Sequence, residues 1–335
     1  MLGKFFKILT LAGGLGLFVW LLADVDLEAV GHELAAVGAL GLAAIMFTFA
    51  VGFAADIASW LLMFRTIAVT RLWAWRLALV HLVGEALNVV TPFGSLGGEP
   101  FKALLLKRHY DVSYREGTAS LLLIQTVNSL AMVPFVLIGA IITVQRDLLA
   151  PAVETAVMGA ALVIMAFMLA VYALLHMRAL AAFQRWLEGS RWSAQFGRGL
   201  AAMRDIEEHL FHFVRATPGR SFASLVFAFV TWFAGAVEMY LIFLFLGHPI
   251  SLTDAWMVEA AIVLVRAGTF FIPGHLGVQD GAIALLGQAL GGSAELGLAV
   301  ALLRRGRELV WTAAGLAVGA WYGLQDTPGD PPVTA

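Results

Sequence analysis

Six stretches of this chain are apolar over a length that matches the hydrocarbon thickness of a bilayer: residues 5–23, 37–62, 117–143, 155–175, 221–246 and 296–322. About 20 consecutive apolar residues in a helix cross that distance. Lipid offers no partner to exposed N–H and C=O groups, so such runs fold as helices, whose backbone bonds are internal. The composition agrees. The chain is 61% apolar and 13% charged, against about 45–50% and about 25% in an ordinary soluble domain. That balance excludes a disordered chain and a soluble enzyme. A net charge of −2 provides no field for a polyanion, so no nucleic-acid partner is expected. The absence of cysteine removes disulfides, thiolate metal sites and cysteine nucleophiles. No H-E-x-x-H, G-x-S-x-G or P-loop occurs, and no cofactor or metal is expected.

Two further apolar stretches, 73–108 and 255–291, are broken in the middle. One carries Thr91-Pro92-Phe93-Gly94-Ser95-Leu96-Gly97-Gly98-Glu99-Pro100 and the other Pro273-Gly274-His275-Leu276-Gly277. Proline and paired glycine end helices. Broken backbone at membrane depth survives only when buried in protein or lining a wet cavity. Both stretches therefore read as re-entrant helical hairpins. The basic residues support this reading, because cytoplasmic loops collect Lys and Arg. With two hairpins, 16 of the 21 basic residues face the inside: Lys4, Lys7, Arg65, Arg71, Arg76, Lys102, Lys107, Arg108, Arg115 and the seven arginines between 178 and 220. Only Arg146 faces out, among Asp24, Asp26, Glu28, Glu33, Asp147, Glu154, Asp254 and Glu295.

The expected fold is all-α and polytopic: six full spans and two re-entrant hairpins in an inverted-topology repeat, with both termini cytoplasmic. Residues 1–325 form one membrane domain with halves near 1–150 and 151–325, and 326–335 a short polar tail. A shift of 180 residues supports the repeat, placing Gly94, Leu96 and Gly97 on Gly274, Leu276 and Gly277. The same shift puts Gly117 and Gly139 on Gly297 and Gly319, and Gln125 and Asn128 on Arg305 and Glu308. Inverted repeats with paired broken helices are the architecture of many transporters. The segment 178–217 differs, with apolar residues every three or four positions and arginines between them. It reads as a basic amphipathic helix or helix pair on the inner face, lying on anionic lipid or packed under the bundle.

Charges inside the apolar runs mark candidate sites. Each costs about 2.5–3.5 kcal/mol at mid-membrane on insertion scales. These are Asp56, Glu85, Glu99, Glu238, Glu259, Asp280, Glu308, Arg266, Arg304, Arg305 and Arg307. Arg304 and Glu308, one turn apart, are expected to pair, leaving Arg305 and Arg307 without local partners. Glu85 and Arg266 lie seven residues before Pro92 and Pro273, and are expected to approach each other. Surplus guanidinium groups suit a phosphate, which Arg grips with two hydrogen bonds. Asn88, Thr91 and Ser95 add uncharged partners at the first break, and His275 and Gln279 at the second.

These residues carry a resemblance. Asn88-x-x-Thr91-Pro92-x-Gly94-x-x-Gly97-Gly98-Glu99-Pro100-x-Lys102-Ala103, followed by Leu105-Leu106-Lys107-Arg108, resembles the first signature of the lysylphosphatidylglycerol synthase transmembrane family, also called flippase-like. Pro273-Gly274-x-Leu276-Gly277-x-Gln279-Asp280-Gly281, followed by Leu303-Arg304-Arg305, resembles the second. The resemblance implies a membrane domain that carries lipid between leaflets, with Glu99, Lys102, Gln279, Asp280 and Arg305 in the cavity. The family's usual second-hairpin Glu is replaced here by Gln279-Asp280, and its acidic–Arg–x–x–Asp pattern by Ile124-Gln125-Thr126-Val127-Asn128. The soluble aminoacyltransferase domain of the two-domain synthases is not expected in 13 residues after 322, so aminoacyl transfer is not expected either.

The expected function is movement of a phosphate-bearing or other anionic lipid across a bacterial inner membrane. The transport set is Glu85, Asn88, Glu99, Lys102, Arg266, His275, Gln279, Asp280, Arg304, Arg305 and Glu308. The alternatives are a membrane glycosyltransferase built on Asp24-Val25-Asp26 or a non-transporting subunit of a cell-envelope lipid pathway. A homo-oligomer or an envelope-biosynthesis partner is compatible with either. Single cysteines at Lys107 and Glu295 should be labelled from opposite sides of the membrane; labelling of both from one side would refute the topology.

Overall fold

The computed structural model describes residues 27–90, 97–146, 151–176, 217–269, 272, 275, 277–290 and 292–323. The expected span 5–23 and the amphipathic segment, apart from Thr217, lie outside them. The described helices are α1 (Leu27–Leu62), α2 (Arg71–Val90), α3 (Glu99–Tyr110), α4 (Tyr114–Arg146), α5 (Pro151–His176), α6 (Pro218–Phe245), α7 (Leu252–Gly268), α8 (Val278–Ala289) and α9 (Ala294–Gly323). Among the described residues there is no strand, so the fold is all-α.

The bundle is apolar outside and charged inside. Leu40, Phe47, Val163, Phe222, Leu285 and Leu309 are exposed, while Asp56, Lys102, Glu238, Glu259, Asp280 and Arg304 are buried. In water that distribution would leave a broad apolar surface unsatisfied; in lipid it leaves none. Among the described residues, three helical stretches are long and apolar enough to cross a membrane: Leu34–Leu62, Tyr114–Arg146 and Pro218–Phe245. Within α5, Glu154–Phe167 forms a shorter apolar helix. The run expected at 296–322 lies within a helix of 30 residues, α9, but carries Arg304, Arg305, Arg307 and Glu308 midway, which keeps it out of that class. The first described span begins just before Gly38, where φ is 61° and ψ is 177°. That backbone suits glycine and divides α1 into two pieces.

Helix α1 packs antiparallel to α6. Gly41 meets Phe245, the Thr231 hydroxyl donates to the Gly52 carbonyl (3.2 Å), and the Ser59 and Ser224 hydroxyls lie 2.7 Å apart. Helix α4 packs antiparallel to α7, with Arg146 against Asp254 at 2.7 Å and Gly139 against Ala260. Helix α9 packs on α2, through Gly315 against Leu82 and Ala86 and through Gly319 against Val83. Small residues let these backbones approach closely, which is how helices associate where no hydrophobic drive separates them from lipid.

Each broken stretch forms two helices. Helix α2 ends at Val90 and α3 begins at Glu99. Gly98 sits against the Gly84 backbone, and its N–H donates to Asn88 Oδ1 at 2.7 Å. The outer ends of this pair come together, with the Trp73 and Tyr110 rings 6.0 Å apart and the Arg76 guanidinium over both. Helix α7 starts on a reciprocal cap between Ser251 and Asp254. Helix α8 starts after Gly277, at φ 76°, whose N–H donates to Asp280 Oδ2 at 3.0 Å. Ile250 and Leu290 then pack in one cluster with Leu246, Leu286 and Leu296.

A Cβ added at Gly139 would collide with Ala260, and one at Gly315 with Leu82 and Ala86. Gly139→Val and Gly315→Val should each cost about 1–3 kcal/mol of overpacking. Lower thermal midpoints in detergent for both, but not for Gly159→Val, where nothing lies within 4 Å, would bear this out.

Candidate functional site

Two charged clusters lie at the two broken helix pairs. The first joins four helices. Asp56 on α1 has Oδ2 3.0 Å from His81 Nε2 on α2, and its Oδ1 accepts from Asn128 Nδ2 on α4 at 3.1 Å. His81 Nε2 is 3.7 Å from Glu85 Oε1, one turn on. Glu85 Oε1 also accepts from Lys102 Nζ on α3 at 2.8 Å, and Lys102 Nζ reaches Glu99 Oε1 at 2.7 Å. The lysine stem lies over Gly84, where a Cβ would displace it. Asn88 donates to Glu85 Oε1 at 3.4 Å while its carbonyl oxygen holds Gly98. Four of the expected residues, Glu85, Asn88, Glu99 and Lys102, are thus brought together.

The second cluster is built on α9. Successive helix residues point about 100° apart, so Arg304, Arg305 and Arg307 face different neighbours. Arg304 forms a fork with Glu259 on α7, with Nη2 to Oε1 at 2.8 Å and Nη1 to Oε2. Arg305 Nη2 reaches both Asp280 oxygens on α8, at 3.0 and 2.8 Å, and its Nη1 reaches Glu308 Oε2 at 2.7 Å. Arg307 Nε lies 2.7 Å from Glu238 Oε1 on α6, with its guanidinium carbon 4.0 Å from the Phe49 ring centroid.

Three expectations are corrected here. Arg304 pairs with Glu259 rather than Glu308, because the buried carboxylate on α7 accepts both arms of the fork. Glu308 projects at about 40° from Arg304 and about 60° from Arg305 around the helix, and it pairs with Arg305. Arg305 and Arg307 have carboxylate partners, so guanidinium is not in surplus on α9. Glu85 forms its ion pair with Lys102 and lies 3.7 Å from His81, in place of the expected approach to Arg266.

Arg266 is exposed near the C-terminal end of α7. Together with Arg305 it lies close enough to His275 to act on it electrostatically. His275 is buried, with φ at 50°, and its Nδ1 lies 3.2 Å from the Thr269 carbonyl oxygen. Gln279 and Asp280 are buried in the first turn of α8. Thr91, Pro92, Ser95 and Pro273 lie outside the described residues. His81 and the role of Asp56 were not anticipated. The signal for His81 was its place one turn before Glu85, on the same helical face.

Among the described residues, no three His, Asp or Glu side chains are disposed to hold a metal ion. A cavity of about 460 Å³ opens where α1 ends and α4 begins, lined by Met63, Thr66, Ser113, Glu116, Leu123 and neighbours. The residues of the two charged clusters do not line it.

An all-α bundle with an apolar shell, broken helix pairs and charged groups gathered at the breaks defines a helical membrane protein. The chain belongs to the family of the lysylphosphatidylglycerol synthase transmembrane region, whose model matches residues 7–315. Among curated proteins and among solved structures, none matches the chain significantly. Family membership connects the protein with membrane phospholipid metabolism.

Breaking a buried pair from one side strands a charge and costs about 3–5 kcal/mol, whereas replacing both partners by apolar residues costs much less. Arg304→Met and Glu259→Leu should each lower thermal stability in detergent sharply, and the double variant should recover much of the loss. A double variant as unstable as the sum of the singles would exclude the isolated-pair description.

Proposed function

We propose that the protein moves a phosphate-bearing lipid between the leaflets of a bacterial inner membrane, as a transporter rather than an enzyme. The observation that carries this reading is the placement of ionised groups with open faces at the broken helix pairs. The Glu85 side chain is 48% exposed and that of Glu99 25%, beside a Lys102 that is 4% exposed. An ionised group at membrane depth is retained where it meets water or a polar ligand. A lipid head group brings its own polar atoms to such a site, while its chains stay in the bilayer.

At the second break, Arg266, with His275 and Arg305 beside it, offers the cationic side for a phosphate. At the first, Glu85 and Glu99 offer acceptors for hydroxyl or amino groups of the head. Asn88, Lys102, Gln279, Asp280, Arg304 and Glu308 hold these groups in place.

The proposed architecture is an inverted repeat with re-entrant pairs α2–α3 and α7–α8. The glycines related by the 180-residue shift support it. Gly117 lies against Ala103 and Leu106 of α3, and Gly297 against Ala284 of α8. Gly139 of α4 meets α7 in the second half, and Gly319 of α9 meets α2 in the first. Helices α1 and α6 cross antiparallel with Gly52 beside Thr231 and Ala234, close to the position 180 residues on. Two halves so related can pack in two nearly equivalent ways, each open to one side.

The test is reconstitution into vesicles carrying labelled lipids with and without a phosphate in the head group. The phosphate-bearing lipid should exchange between leaflets faster than in empty vesicles. Arg266→Gln should slow this at least about tenfold, the loss of about 1.4 kcal/mol of head-group binding. Full-rate exchange by folded Arg266→Gln, or equal rates for both lipids, would count against the reading.

A further inference from the structure

The head group needs the acceptors at the first break, but it does not need Asp56 or His81, which lie deeper. Both are mostly enclosed, with side chains 11% and 13% exposed. Their arrangement is specific. A single imidazole nitrogen, His81 Nε2, faces carboxylate oxygens from two helices, Asp56 Oδ2 at 3.0 Å and Glu85 Oε1 at 3.7 Å. Glu85 Oε1 has Lys102 and Asn88 as donors, but if Nε2 were bare and Asp56 ionised, two electron-rich atoms would meet at 3.0 Å with nothing between them. A proton belongs at that point.

Lys102 is held by Glu85 and Glu99. Asp56, Glu85 and Glu99 bring three negative charges against its one positive charge. From α4 the neighbour is Asn128, which is uncharged and already donates to the other Asp56 oxygen. On the side toward α9, Phe53 lies 5.2 Å from the His81 ring, Trp311 5.4 Å from Phe53, and Phe49 5.0 Å from Trp311, before Arg307 is reached. Trp60 lies 5.9 Å from the His81 ring on another side.

Exposure rises along the chain of groups, from 11% at Asp56 to 48% at Glu85. We infer that Asp56, His81 and Glu85 form a proton-binding relay, in which His81 Nε2 passes one proton between Glu85 at the open side and Asp56 in the interior. With Lys102 turned onto Glu99 and the 3.7 Å gap closed, protonated Glu85 gives its proton to bare Nε2, leaving a carboxylate and an imidazolium. The imidazolium gives the Nε2 proton to Asp56, restoring neutral His81 and leaving Asp56 protonated. One proton has moved and no other bond has changed. The inference goes beyond lipid movement: the relay binds a proton whether or not a lipid is carried.

The test is nitrogen NMR of the full chain in nanodiscs, with ¹⁵N-labelled histidine and the His81 signals assigned by their loss in His81→Gln. From about pH 5 to about pH 9, the Nε2 resonance of His81 should report a protonated nitrogen over part of the range and shift with pH. Asp56→Asn and Glu85→Gln should each displace that same resonance. Glu85 is half exposed, so Glu85→Gln serves if Asp56→Asn fails to fold. An Nε2 that stays bare throughout, or that responds to neither substitution, would overturn the relay. Vesicles in which no lipid moves would defeat the proposed transport alone and leave the NMR result standing.

Discussion

Three arginines within four positions of one helix hold the second half of this bundle together. Arg304, Arg305 and Arg307 tie α9 to α7, α8 and α6 in turn. A charge in hydrocarbon must find its counter-charge or water. Each of these three has one best position, set by a carboxylate on another helix, and the rotation of α9 follows from all three at once. Apolar packing alone would tolerate small rotations of a helix coated in Leu, Val and Ala. Ion pairs that reach three directions do not.

The two clusters differ in balance. On α9 each guanidinium has a carboxylate, so this cluster is close to neutral and reads as framework. At the first break, three carboxylates share one lysine and one histidine, and Glu85 opens outward. A neutral, closed cluster stabilises a fold; an unbalanced, open one has capacity left for a ligand or a proton. The proposed relay draws on that difference, while the proposed phosphate site draws on Arg266, which stands exposed outside the α9 pairs.

Much of the helical framework was legible in the sequence. Long apolar runs leave only one backbone solution in lipid, and Pro92, Gly97, Gly98, Pro273 and Gly277 marked where helices stop. The pairing of charges was less legible. Glu259 and Asp280 stand 45 and 25 residues from the arginines they bind, and nothing along the chain encodes which way α9 turns. Local spacing favoured Arg304 with Glu308, but Glu259 on α7 takes both arms of the Arg304 fork, which leaves Glu308 to Arg305. His81 was missed because its strongest partner, Asp56, sits on another helix. The spacing of His81 and Glu85 alone does not separate a surface pair from a buried one.

Residues 111–113 are all that separates α3 from α4, and Asp111 takes a left-handed turn at φ 55° to make the connection. Helix α4 has 33 residues. At about 1.5 Å per residue it spans roughly 50 Å, with Pro134 in its interior. A small tilt of the short helix at one end is therefore magnified into a displacement of several ångströms at Arg146, where α4 grips the start of α7. Movement of α3 would be felt at the outer end of α7, where Arg146 meets Asp254.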